Sequence, residues 1–337
     1  MKDSLKVIVV MLLAAVLIAT GLMMNLTTGQ HTMELRIAYS NKVDYEPLIL
    51  ADHFDLYEEA GIDTSSLIVT GGIQAAEALA TGSVDVAAMG GAPAILLVSQ
   101  NPGMRIIARY GGGEGMHRII ALNDIQEAKD MNGKRIGVQQ GSSSHGALLA
   151  WANVNGLDMS SVTLVAISPT DMPEAMATRQ IDAMAGSEPW PTNVETMCGD
   201  QVHEIGNSSS LGNTFPLVLV INERVINERS DMLDGMMVVI EQAIRILESD
   251  RGYAAEVCSK YTGISVGAQL SCMSHLFYEL GFDDTDVESL NLTSDFLVMH
   301  QRIDSAPNPH TYLDLRFLQG KEERVWMSAM VSRERVE

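Results

Sequence analysis

Glu77-Ala-Leu-Ala-Thr-Gly-Ser-Val-Asp-Val-Ala-Ala88 aligns without a gap on Glu174-Ala-Met-Ala-Thr-Arg-Gln-Ile-Asp-Ala-Met-Ala185, with six of the twelve positions identical. Each copy reads as the end of a helix, a Thr-led turn and a short apolar strand. Each strand then runs into a G-x-x-P turn, Gly90-Gly-Ala-Pro93 in one case and Gly186-Ser-Glu-Pro189 in the other. A repeated unit of this kind predicts two lobes built to one plan, each aiming a turn at a shared cleft.

Outward from the first copy, Glu34–Ser40, Ser66–Thr70 and Val84–Met89 read as strands, and Ile73–Ala80 as a helix. Tyr45–Ala60 reads as one helix, with Pro47 in its first turn and Gly61 at its end. Around the second copy, His117–Asn123, Arg135–Gln140, Val162–Ile167 and Ile181–Ala185 read as strands, and Gly146–Asn155 as a helix. Asp171-Met-Pro-Glu174 has the spacing of a capping box. Strands alternating with helices predict an α/β protein with parallel sheets. Leu217–Asn222 (LVLVIN) reads as a strand returning to the first lobe. Helices are expected over Asp231–Lys260, Gly267–Leu280 and Asp284–Ile303. The expected division is a leader and linker at 1–33, a first lobe from 34–114 and 211–320, a second lobe at 115–210, and a charged tail at 321–337.

The 337 residues carry 43 acidic and 22 basic side chains, a formal charge of −21, with no basic stripe of the kind nucleic-acid binding requires. Val7–Met24 is uncharged and as a helix would span about 27 Å, close to the hydrocarbon thickness of a bilayer. Lys2 and Lys6 precede it, which predicts a cytoplasmic amino terminus and an extracytoplasmic remainder. An uncleaved membrane anchor is the preferred reading, and a cleaved signal peptide is its rival. Three cysteines carry no metal spacing; Cys258 and Cys272 either pair or remain, with Cys198, as buried thiols.

Three turns rich in Gly or Ser sit between a strand and a helix: Gly71-Gly72, Gly90-Gly91, and Gly141 followed by Ser142, Ser143, Ser144 and His145. The first turn of a helix presents unpaired N–H groups and the positive end of its dipole, which suits a sulfonate, nitrate, carboxylate or phosphate. His145 is expected either to meet the anion or to cap its helix. Glu188 and Trp190, at the end of the repeated strand, suit an amine or a ring, with ion pairing and core packing as their alternatives. Asn41, Asp44 and Tyr45 follow the first strand and are similarly placed. No turn matches a phosphate-binding Walker loop or a dinucleotide fingerprint, and no nucleophile motif occurs, so neither a cofactor nor catalysis is expected.

The run Gly71–Gln100, Met131-Asn-Gly-Lys-Arg-Ile-Gly-Val138 leading to Gly141–His145, and Ala177–Pro189 resemble the solute-binding proteins of nitrate/sulfonate/taurine-type ABC importers. The resemblance covers roughly Glu34–Leu318. It implies the two-lobed type II periplasmic-binding-protein fold, each lobe a mixed sheet flanked by helices, with two crossovers and a ligand cleft at the hinge. It also implies an ABC permease and its ATPase as partners. Carried over, the ligand-contacting turns are those at Asn41, Gly71-Gly72, Gly90-Gly91, Ser142–His145 and Glu188. The same superfamily includes binders of a thiamine-pyrimidine precursor or other heterocycles and a few enzymes acting on such compounds, which stand as the alternative.

Overall fold

The structure is a computed structural model and describes residues 34–209 and 211–318. Val7–Met24 and the charged tail lie outside them. Among the described residues no helix is long and apolar enough to cross a membrane.

The first lobe opens with strand β1 (Leu35–Ser40), helices α1 (Glu46–His53) and α2 (Leu56–Glu59), β2 (Thr64–Val69), α3 (Gly72–Ala80), β3 (Val86–Gly90), α4 (Gly91–Gln100) and β4 (Met104–Gly111). The second comprises β5 (His117–Leu122), β6 (Arg135–Val138), α5 (Ser143–Val154), β7 (Thr163–Ala166), α6 (Met172–Ala177), β8 (Ala183–Ser187), α7 (Trp190–Cys198) and β9 (Val202–Asn207). The chain then returns through β10 (Leu217–Asn222), α8 (Glu223–Ser249), α9 (Arg251–Thr262), α10 (Val266–Met273), α11 (Asp284–Met299) and α12 (Pro309–Tyr312).

The two sheets share one topology. Their orders are β2-β1-β3-β10-β4 and β7-β6-β8-β5-β9. In each, three parallel strands are followed by two joined through antiparallel pairing, and the inserted strand (β10 or β5) reaches its sheet directly after a crossover from the other lobe. Both faces of each sheet are covered. In β3, Val86 and Ala88 pack into one apolar cluster while Ala87 and Met89 pack into another. In β8, Ala183 and Ala185 face one cluster and Met184 the other. This period of two, apolar on both sides, explains why the strands read as unbroken apolar runs.

Both copies of the repeat make one and the same hydrogen-bond arrangement. Arg36 donates its backbone N–H and Nε to Asp85 Oδ2, each at 3.0 Å, and Nη2 to Oδ1 at 2.9 Å. Arg135 makes the same three bonds to Asp182, at 2.8, 3.0 and 2.8 Å. In both copies the aspartate N–H returns a 2.8 Å bond to the arginine carbonyl. Thr81 and Thr178 each close the preceding helix by donating Oγ1 to the glutamate carbonyl four residues back. The arginine bonds overcome burial to hold Asp85 below the usual carboxylate range, and Arg135 does the same for Asp182. Helix, turn and strand are thereby fixed against β1 in the first lobe and β6 in the second.

Several expected elements are divided. Tyr45–Ala60 breaks at Asp55, which adopts the left-handed region (φ 53°) between α1 and α2. Asp231–Lys260 breaks at Asp250, whose Oδ1 accepts from Tyr253 N–H to start α9. The Asp171–Glu174 capping box is not formed. A 3-10 turn over Pro169–Asp171 runs straight into α6, so Asp171 has nothing to cap. Gly267–Leu280 is helical only to Met273; beyond it the chain is extended and bonds to β4 through Arg109–Gly281 and Gly112–Phe277. Strands β4 and β9, which lead into the two crossovers, were not anticipated. All three cysteines are free and buried, because Cys272 points its thiol at Glu188 instead of at Cys258.

The crossovers are joined backbone to backbone. Gly112 N–H donates to Phe277 C=O at 3.0 Å and Gly113 N–H to Thr214 C=O at 2.8 Å. A Cβ on Gly112 would come within 2.8 Å of Thr214 C=O, so no larger residue fits between these chains.

Two measurements test these assignments. Asp85 also accepts from Arg229 and is the more buried of the pair, so Asp85→Ala should cost about 2–4 kcal/mol and Asp182→Ala about 1–2 kcal/mol in chemical denaturation. Equal losses would remove Arg229 from the account. Glu46, the first residue of α1, is fully buried; Gln269 donates to its Oε1, and Oε2 has no partner among the described residues. Burial pushes its pKa from 4.5 up to about 8. The folded state then holds the extra proton between those values, so stability falls as pH rises through that window. The slope is on the order of 1.4 kcal/mol per pH unit. Glu46→Gln should flatten this slope in melting temperatures measured from pH 5 to 9.

Candidate functional site

A cavity of about 280 Å³ lies between the two lobes. Turns at the carboxyl ends of strands build its wall, because in a parallel sheet the following helices all begin on that side. Helices α3 and α4 start there from the first lobe, and α5 and α7 from the second. Gly71 and Gly90 are the N-caps of α3 and α4 and make no side-chain cap bond, which leaves the first-turn N–H groups open to a bound group.

The sequence candidates divide into two groups. Gly71, Gly72, Gly90, Gly91, Asp44, Tyr45 and Trp190 all line the cavity, together with Ser142, Ser143 and Ser144. The serines differ in what they do. Ser142 Oγ donates to Gln139 C=O at 2.7 Å and accepts from His145 N–H at 3.3 Å, so it caps α5. Ser144 Oγ is bonded to His117 Nδ1 at 3.2 Å. Among the described residues, Ser143 Oγ is left without such a bond.

Asn41, His145 and Glu188 lie outside the wall. Asn41 is half-buried beside it. His145 turns back so that Nδ1 accepts from Gly141 N–H at 3.2 Å, and its ring packs against Phe296 and His300 of the first lobe. Burial lowers its pKa, so the ring stays neutral, and it serves the turn and the lobe contact. Glu188 is fully buried. Its Oε1 accepts from Arg118 Nη1 at 2.8 Å, and its Oε2 from Cys272 Sγ at 3.3 Å and Thr192 N–H at 3.3 Å. Arg118 is held in addition by Glu195 and Glu204. Glu188 thus belongs to a buried ion-pair network that also reaches α10 of the other lobe, and its lone pairs are taken up away from the cleft.

The structure adds residues the sequence did not single out. Lys42 lies on the wall 3.5 Å from Asp44 Oδ2, with its ammonium 5.5 Å from the centre of the Tyr45 ring. Arg302, at the end of the α11 region, brings its guanidinium against Gly141; a Cβ there would lie 3.4 Å from Arg302 Cζ. His117 is buried on the wall, edge-on to Phe215 at 4.3 Å between ring centres. Burial pushes its pKa down to about 3, so it is a neutral imidazole. Lys42 could have been flagged by its place two residues before Asp44. Arg302 had no signal, because only folding carries it across the cleft. Among the described residues, no group of His, Cys, Asp and Glu is arranged to hold a metal ion.

The fold is shared with known proteins. A Brucella abortus (strain 2308) protein provisionally named a binding protein is 25% identical over 213 residues. The match covers 63% of this chain and 66% of that relative, just under two thirds of its length. The periplasmic aliphatic sulphonate binding protein of Escherichia coli superposes with a TM-score of 0.74 at 19% identity, covering 82% of this chain and 91% of that one. A desulfurization enzyme superposes with a TM-score of 0.67 at 16% identity, covering 86% and 99%. At these identities the solved structures establish the fold, which is the two-lobed periplasmic-binding-protein fold. Residues 28–261 match the NMT1-like family, and over that span the chain belongs to it.

Proposed function

We propose that this protein is an extracytoplasmic solute-binding receptor of an ABC importer that captures a small anionic or zwitterionic solute between its lobes. Uncapped helix N-termini from the first lobe, facing α5 and α7 of the second across one cavity, carry the reading. Such termini attract an anion through N–H groups and dipole together, and Lys42 and Arg302 add positive charge at the same wall. A volume of about 280 Å³ suits a short-chain sulfonate or carboxylate, nitrate, or one small ring, and is too small for a dinucleotide. The sulphonate-binding relative in Escherichia coli supports the sulfonate members of this set.

A heterocycle is the second reading, favoured by Tyr45, Trp190 and Phe215 on the wall. Catalysis on this fold, as in the desulfurization enzyme, has less support. Burial raises the pKa of Cys198, Cys258 and Cys272, and none of the three lines the cavity. Lobe closure on ligand would create the surface that a permease recognises, and the Val7–Met24 segment would keep the receptor near it.

A thermal-shift panel of nitrate, ethanesulfonate, taurine, bicarbonate and a pyrimidine tests the proposal. A true ligand at a hundredfold over its Kd should add about 2.7 kcal/mol of stability. Gly90→Asp places a carboxylate where a Cβ meets open space, at a backbone conformation (φ −75°, ψ 168°) that suits an N-cap. It should hold or raise ligand-free stability by a few tenths of a kcal/mol while weakening anion binding at least roughly tenfold. Unchanged affinity would place the anion elsewhere, and stabilisation by no member of the panel would remove the receptor reading.

A further inference from the structure

Two buried polar atoms, one from each lobe, have no partner although their residues line the cavity. Asp44 is 5% exposed, and its Oδ1 has no hydrogen bond among the described residues. His117 is 3% exposed, and its Nε2 has none either. Leaving such groups unsatisfied carries their full desolvation penalty, larger for a charged group. Glu46 Oε2 is unpartnered too, but among the described residues with such an atom only Asp44 and His117 line the cavity.

The chemistry of the two atoms is similar. Burial raises the pKa of Asp44, and a bound ammonium would favour its ionised form; ionised, it can only accept, and Lys42 occupies its other oxygen at 3.5 Å. In the tautomer that donates Nδ1–H to Ser144 Oγ, His117 Nε2 is also an acceptor. Its ring is neutral and so does not repel a cation. The helix N-termini of the same cavity are donors, so the wall has a donor pole and an acceptor pole.

We propose that the captured solute is a zwitterion whose ammonium group is held by Asp44 Oδ1 and His117 Nε2 while its anionic group sits on the helix N-termini. This rests on the receptor reading above and narrows its ligand class. Asp44 takes the role of amine partner for which Glu188 had been the sequence candidate. Glu188 cannot fill it, because Arg118, Cys272 and Thr192 already surround its carboxylate.

Calorimetric Kd values for two matched pairs decide it: taurine against ethanesulfonate, and β-alanine against propionate. The wild-type protein should prefer the amine-bearing member of at least one pair by about tenfold or more, the effect of one hydrogen bond to a charged group. Asp44→Asn should reduce that preference to about twofold or less without weakening the amine-free member, since it removes a negative charge beside Lys42. That retained binding also shows that the variant is folded. Equal wild-type affinities within both pairs would overturn the zwitterion inference and leave anion capture standing. Parallel weakening of both members by Asp44→Asn would likewise assign Asp44 a structural role. Binding of none of the four would overturn the zwitterion inference, and if nitrate, bicarbonate and the pyrimidine also failed, the receptor reading would fall with it.

Discussion

The contact of three backbones at Gly111–Gly113 governs the geometry of everything described above. Strand β4 leaves the first lobe there, the returning chain passes at Thr214, and the segment after α10 lies alongside at Phe277. Arg109 secures that third segment from below through a 2.8 Å bond to Asp286, a second bond to Glu279 and its position over the Phe277 ring. Backbone packing this close leaves no room for side chains, and it fixes where each sheet begins. The two sheets consequently present the carboxyl ends of their parallel strands to one gap. Any helix that follows a parallel strand then starts at that gap, so the donor-lined cavity follows from the crossover.

A protein of charge −21 is not an obvious anion binder. Range resolves the difficulty. Surface carboxylates act through water and salt, which screen them within about 8–10 Å. In the proposed reading, the helix N–H groups, Lys42 and Arg302 would act at contact distance inside the cavity, where the effective dielectric is lower. The acidic surface, screened in this way, does little at the cavity.

Three buried carboxylates show how environment assigns a role to one chemical group. Glu188 is saturated by Arg118, a thiol and a backbone N–H, and ties lobe to lobe. Glu46 lies against Gln269 in the first lobe, where burial favours its neutral form. Asp44 keeps one oxygen unpartnered beside the cavity. The sequence separates Asp44 from Glu46 by one residue and cannot distinguish them, since the difference lies in what each side chain meets across the fold.

Much of the architecture was legible from the chain alone. The recurrence of Glu77–Ala88 at Glu174–Ala185 announced two lobes, because each copy carries the Thr that closes its helix locally and the Asp that an arginine on β1 or β6 brackets. The Gly and Ser turns could be placed on the cleft for the same reason, since a helix start exposes its N–H groups whatever surrounds it. What only the tertiary structure decided is which polar side chains face the cavity. Glu188, His145 and Asn41 sit in or next to the same turns as Trp190, Ser143 and Asp44 but line no part of it, while Arg302 and His117 enter from distant segments. A residue's backbone conformation follows from its near neighbours in sequence. The partner its side chain finds depends on elements that only the crossovers bring together.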